Sequence, residues 1–206
     1  MKDIHAHWET VYQHRPADEL SWYQTDPVGS LLLISSVGAP AAQRIIDIGG
    51  GTSRLVDALL ERGYPRPAVL DVSAAALEQN RQRLGERADL VDWYASEVAL
   101  FHPSHRFTIW HDRAVFHFLT DPSDQEVYVS VLREALEPEG QVVIASFTYG
   151  APLRCSNLEV RHHDEHSLQA VLGQEFQLLE VHHERHVTPA NQVQPFIYCR
   201  FLRRSS

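Results

Sequence analysis

Residues 45–54 read Ile45-Ile46-Asp47-Ile48-Gly49-Gly50-Gly51-Thr52-Ser53-Arg54. An aliphatic run carrying one carboxylate breaks into three glycines and then into Leu55, Val56, Leu59 and Leu60, which share one face of a helix. Glycines between a buried strand and a helix let the main chain turn tightly and let a ligand approach it without meeting a Cβ. A second carboxylate, Asp71, follows the next aliphatic run, Ala68-Val69-Leu70, 20 residues beyond Gly51 (71 − 51). At that spacing an acidic side chain accepts hydrogen bonds from ribose hydroxyls. A nicotinamide-binding turn would place a third glycine where Arg54 stands. A short-chain dehydrogenase would need Tyr-x-x-x-Lys, and the only lysine is Lys2.

On either side of this turn, short buried runs alternate with amphipathic ones. Ile45–Ile48, Ala68–Leu70, Leu90–Tyr94, Phe107–Trp110 and Val142–Phe147 read as strands. The stretches 54–62, 74–84 and 124–137 read as helices. Ser73 is placed to cap the second helix and Gly85 to close it, while Ser123-x-x-Glu126 reads as a capping box for the third. Strands alternating with helices predict a parallel sheet covered on both faces. A further helix over 164–172 precedes two strands, 176–186 and 196–202, with no helix between them, which predicts a terminal antiparallel hairpin. Two more short helices, around 3–14 and 26–37, lie in an aromatic-rich stretch with Trp8, Tyr12, Trp22 and Tyr23.

The 206 residues suit one domain. We expect 1–206 to be a single unit, with 1–40 as an N-terminal helical lid and 41–206 as the core. Lys plus Arg number 18 against 27 Asp plus Glu, a formal net charge of −9, which argues against nucleic acid as the partner. The longest aliphatic run, Leu31–Ile34, falls far short of the ~20 residues of a membrane span. No apolar leader opens the chain, and the expected location is the cytoplasm. Cys155 and Cys199 lack CxxC spacing, which excludes a cysteine-based metal site. His162 and His166 stand four apart but straddle the cap at Asp164, and the adjacent His182 and His183 point to opposite faces of a strand, so no metal is expected.

Asp47-x-Gly49-x-Gly51, Trp22-Tyr23-Gln24, Leu70-Asp71-Val72-Ser73 and Trp110-His111-Asp112-Arg113 together resemble the class I S-adenosylmethionine-dependent methyltransferases. The resemblance runs over nearly the whole chain, and is closest to small bacterial enzymes of the thiopurine- and lysine-methyltransferase-like type. It implies an α/β, Rossmann-like fold with a mostly parallel seven-stranded sheet and S-adenosylmethionine as cofactor. Asp47 and the main chain of Gly49, Gly50 and Gly51 would then hold its amino-acid end. Asp71 would take the ribose hydroxyls, Val72 would lie against adenine, and Ser96 and Glu97 would stand after the third strand on the adenine side. Glu97 replaces the family's Asp and is equally readable as a solvated carboxylate. His111 would contribute main-chain contacts to the methionine part.

In an open α/β sheet the ligand crevice lies beyond the carboxyl ends of the strands. The segment after the fourth strand therefore supplies the catalytic candidates Asp112 and His117. Asp112 and Arg113 either orient substrate or pair to lock the loop, and His117 is either a base or a packed core histidine. Tyr12, Tyr23, Arg113 and Tyr149 are the substrate candidates, and Trp22 is assigned to the cofactor side as part of a lid. The alternative is that the N-terminal aromatics only fill the gap beneath their helices. A small-molecule acceptor is expected, on a monomer or weak dimer. A protein lysine substrate and a non-catalytic S-adenosylmethionine-binding regulator are the competing functions.

Overall fold

The computed structural model describes residues 4–205. Asp3, the start of the first expected helix, and Lys2 lie outside the described residues. The elements are α1 (Ile4–His14), α2 (Val28–Ser35), β1 (Ile45–Ile48), α3 (Leu55–Glu61), β2 (Ala68–Asp71), α4 (Ala74–Leu84) and β3 (Asp92–Ala95). Then follow β4 (Phe107–Arg113), α5 (Pro122–Ala135), β5 (Leu136–Phe147), the two-residue strands β6 (Arg154–Cys155) and β7 (Leu158–Glu159), α6 (Glu165–Leu172), β8 (Phe176–Val187) and β9 (Val193–Arg203). Seven strands form one sheet in the order β3-β2-β1-β4-β5-β9-β8, while β6 and β7 pair separately. Neighbours from β3 to β5 are parallel, and β9 is antiparallel to both β5 and β8. The order reverses between β1 and β4, which opens a crevice at their carboxyl ends.

Alternation along the strands decides which layer each side chain joins. Ile46 and Ile48 of β1, with Trp110, Val142 and Ile144, pack under α5 and α6 against Tyr128, Leu132, Leu168 and Leu172. Ile45, Ile109 and Val143 face the opposite way, onto Leu31, Leu33 and Ile34 of α2 and Leu55 and Leu59 of α3. Val69 carries that face on to Leu77 and Leu84 of α4. The sheet is thus covered on both faces.

Among the boundaries that differ from the sequence reading, three have a local physical cause. The third strand begins at Asp92, because residues 85–90 wind into a short 3-10 helix. The cap of α5 is Asp121, whose carboxylate accepts from the Ser123 N–H at 2.9 Å and its hydroxyl at 2.8 Å. Pro122 takes the first helical position, where its missing N–H costs nothing. β5 starts at Leu136, since the Pro138-Glu139-Gly140 segment bulges and the pairing steps from Phe107–Leu136 to Ile109–Gln141. Among the described residues no helix is long and apolar enough to cross a membrane. No group of three or more His, Cys, Asp or Glu side chains among them could hold a metal ion.

Candidate active site

The turn after β1 is built to be approached. Gly49 and Gly51 adopt φ values of +63° and +46°, a region that side chains disfavour. A Cβ on Gly49 would overlap the Val115 side chain, and one on Gly51 would overlap the Tyr12 hydroxyl. These two glycines therefore let the loop after β4 and helix α1 close onto the same turn. The turn is pinned from α4, where buried Asn80 donates to the Gly51 carbonyl and Arg83 donates to the carbonyls of Thr52 at 3.1 Å and Ser53 at 2.7 Å.

Two carboxylates flank it. Asp71, at the end of β2, accepts the Gly51 N–H and the Ser73 N–H, each at 2.8 Å. Burial pushes its pKa up to about 7, against the pull of those two amides. Asp47 stands opposite His111 in the β1–β4 ladder. Its Oδ1 lies 2.7 Å from His111 Nδ1, and His111 Nε2 lies 2.8 Å from the Ser30 hydroxyl. A carboxylate only accepts, so Nδ1 donates to Asp47, and in the neutral imidazole Nε2 then accepts from the Ser30 hydroxyl. All three side chains are buried. The sequence offered His111 only a main-chain role, whereas the structure gives it a side-chain one, which orients the Asp47 carboxylate.

A cleft of about 600 Å³ opens over these strand ends, bounded by Asp71, Val72, Ser96, Glu97 and Val98 on one side and by Val115, Phe118 and Leu119 on the other. A smaller space of about 50 Å³ adjoins it at Ser30, Asp47, Gly50, His111 and Tyr23. Tyr12, Trp22, Gly49 and Arg113 line both. The cover is aromatic. Trp8 sits edge-on to Trp22 at 5.6 Å between ring centres and to Phe118 at 5.3 Å, and Tyr12 meets Trp22 at 6.4 Å. Helix α1 is tied down by Glu9, which accepts the Ser73 hydroxyl at 2.7 Å, and by Gln79, which donates to the Tyr12 carbonyl at 2.7 Å. Burial raises the Tyr12 pKa well above its ordinary value, so this hydroxyl stays protonated.

The structure brings thirteen of the sequence-derived candidates to the cleft: Tyr12, Trp22, Tyr23, Asp47, Gly49, Gly50, Gly51 through its Asp71 bond, Asp71, Val72, Ser96, Glu97, His111 and Arg113. Three lie elsewhere. Asp112 follows His111 on β4 and so points to the α5 face, where it accepts from the Tyr128 hydroxyl at 2.7 Å and the Val115 and Phe116 amides at 2.9 and 3.3 Å. It holds the loop, and neither reaches the cleft nor pairs with Arg113. Burial pushes its pKa up to about 6. His117 is packed between the rings of Phe118 and Phe147, and burial drives its pKa down to about 3. Tyr149 is 69% exposed and lines neither space. Trp8, Ser30, Val98, Val115, Phe118 and Leu119 were not selected from sequence as site residues. Ser30 lies in an aliphatic helix with no local mark of a polar role, and only its distance to His111 reveals it.

Residues 46–142 match the family model described as a methyltransferase domain. A curated relative, an "Uncharacterized methyltransferase" of Geobacillus thermodenitrificans, is 26% identical over 147 residues, which is 71% of this chain and 66% of that protein. The match thus spans just under two thirds of the relative's length. Among solved structures, the N-methyltransferase NodS of Bradyrhizobium japonicum, in complex with S-adenosyl-L-homocysteine, superposes with a TM-score of 0.76 at 17% identity over 97% of this chain and 100% of that one. The 1,6-didemethyltoxoflavin-N1-methyltransferase of Burkholderia thailandensis, with 1,6-didemethyltoxoflavin and S-adenosylhomocysteine bound, gives 0.69 at 20% identity over 95% and 81%. At these identities the likeness is one of fold.

Proposed function

We propose that this chain, whose residues 46–142 match a methyltransferase-domain family model, transfers a methyl group from S-adenosylmethionine to a small molecule enclosed under the aromatic cover. The observation that carries this is the cleft of about 600 Å³, roofed by Trp8, Tyr12, Trp22 and Phe118 and ended by the carboxylates Asp71 and Asp47. The residues present fit the cofactor. Each Asp71 oxygen holds one backbone N–H and keeps a lone pair for a ribose hydroxyl. Val72 and Val98 offer apolar surface for adenine. Asp47, oriented by His111 and Ser30, supplies an acceptor for the ammonium of the amino-acid end.

When bound, the group supplies a methyl on a sulfonium, which needs a nucleophile in line rather than an acid. The chain's part is alignment and exclusion of water, worth up to ~7–11 kcal/mol in well-oriented systems. Tyr12, Trp22 and Arg113 bound the space where the acceptor sits. The enclosure favours a small molecule over a protein lysine, which would need an open groove. Two buried, unpaired thiols, Cys155 and Cys199, suit a reducing cytoplasm, and a monomer or weak dimer is expected.

S-adenosylhomocysteine at 100 times its dissociation constant should add ~2.7 kcal/mol of stability, and NAD should add none. For a chain of this length that is a rise of roughly 5–10 °C in Tm. A shift with NAD alone would overturn the cofactor assignment. Transfer of label from the methyl-labelled cofactor to a metabolite fraction is the direct test of turnover. Trp22→Ala should lower turnover on the order of 10²-fold, since a small misplacement or water entry is enough, while Tm falls only modestly because Trp22 is half-buried. A strongly destabilised variant with normal kinetics would make the N-terminal aromatics mere filling and not a lid.

A further inference from the structure

Among the described residues Arg113 is the one Lys or Arg side chain lining either space of the cleft, where the other charged groups are Asp47, Asp71, Glu97 and Asp124. Its side chain is about nine-tenths buried. Nε donates to the Tyr198 hydroxyl at 2.9 Å, and Nη1 donates to the Trp22 carbonyl at 3.0 Å. The guanidinium lies over the Phe196 ring, 4.5 Å from its centre. Nη2 is buried and has no hydrogen-bond partner among the described residues. Glu184 Oε1 stands 3.8 Å away, which balances charge but is too long to take an Nη2 hydrogen. That oxygen is already engaged by Gln24 at 2.9 Å. The sequence offered Arg113 either as a partner for Asp112 or as a substrate group, and the alternation of β4 separates the two side chains.

A buried guanidinium nitrogen without an acceptor is costly, and a ligand oxygen would remove that cost. With Nε and Nη1 engaged, Nη2 is the nitrogen left to donate, and its positive charge favours a carboxylate oxygen over a neutral carbonyl because the charge-assisted hydrogen bond is the stronger. The side chains that meet Arg113, Tyr198, Phe196 and Glu184, lie on β8 and β9, on the far side of β4 from β1, β2 and the ribose acceptor Asp71. Trp22, whose carbonyl it bonds, lines the cleft beside it, and Cys155 and Phe118 line the same cleft. We propose that Arg113 anchors a carboxylate carried by the methyl acceptor, making aromatic carboxylic acids the substrate class. This rests on the methyltransferase reading of the cleft. The guanidinium fixes the acid end of the substrate, and the aromatic cover holds its ring.

The test uses the full chain saturated with S-adenosylhomocysteine and titrated by calorimetry with benzoate and indole-3-carboxylate against their neutral amides. The acids should bind at least tenfold more tightly than the amides. Arg113→Lys should weaken the acids about tenfold or more and leave the amides and S-adenosylhomocysteine within twofold. Glu184→Gln, which removes the balancing charge, should tighten the acids several-fold; a purely structural Arg113 gives no such gain. Equal binding of acids and amides, binding of neither acid, or unchanged acid affinity in Glu184→Gln overturns the proposal. A tenfold loss of S-adenosylhomocysteine affinity in Arg113→Lys also overturns it, because the cation would then serve the cofactor's own carboxylate. Failure of the wild-type chain to bind S-adenosylhomocysteine at all is a separate result and overturns the functional reading itself.

Discussion

Asp112→Ala is expected to cost about 3–5 kcal/mol of folding stability, measured by urea denaturation, because it strips acceptors from a buried network. The Tyr128 hydroxyl and the Val115 and Phe116 amides all donate to Asp112, and the Trp110 indole N–H donates in turn to Tyr128 at 2.7 Å. Alanine leaves two buried donors and the half-buried Val115 amide without partners at the root of the loop that carries Val115 and Phe118 into the cleft. Asp112→Asn keeps one acceptor oxygen and should cost less. The pH dependence has a definite sign. The folded pKa of about 6 lies above the unfolded carboxyl value, so the folded state holds this proton more tightly. Its contribution is fully present below about pH 4 and is lost as pH rises through about 6, and Asp112→Asn should remove that component. A loss of under 1 kcal/mol in Asp112→Ala would show that the loop is held by other contacts.

Asp71→Ala should weaken S-adenosylhomocysteine binding about ten- to a hundredfold, the equivalent of ~1.5–3 kcal/mol for hydrogen bonds to a charged acceptor. The Gly51 and Ser73 amides also lose their acceptor. Affinity is therefore best measured at low temperature on protein whose folding has been checked by circular dichroism. Because burial places the Asp71 pKa at about 7 and ribose hydroxyls donate best to the ionised form, wild-type affinity should fall as pH drops below 7. The decline should be up to about tenfold per pH unit. Asp71→Asn should flatten that profile. Unchanged affinity in a folded Asp71→Ala protein would remove Asp71 from the ribose site.

Local patterns carried much of the architecture. The helix caps at Ser73 and Asp164 and the glycine stop at Gly85 appear where the chain chemistry places them. They depend on interactions within one turn, which a linear reading can see. The Asp121 cap was missed because Ser123 and Glu126 offered an equally good local pattern. Only the hydrogen bonds from Ser123 back to Asp121 choose between them.

By itself the sequence determined the strand–glycine–helix turn, the two flanking carboxylates and the alternation of elements that makes a parallel sheet. Each of these is written in residues close together along the chain, where backbone propensity and apolar periodicity act. Tertiary structure decided which of the neighbouring polar residues of β4 face the cleft. Successive side chains of a strand face opposite layers, so His111 and Arg113 enter the cleft while Asp112 goes under α5. It also joined Ser30 to His111, 81 residues away, and His111 to Asp47, 64 residues away, through contacts that no local pattern encodes. Sheet register and helix packing set those distances, and they exist only once the chain has folded.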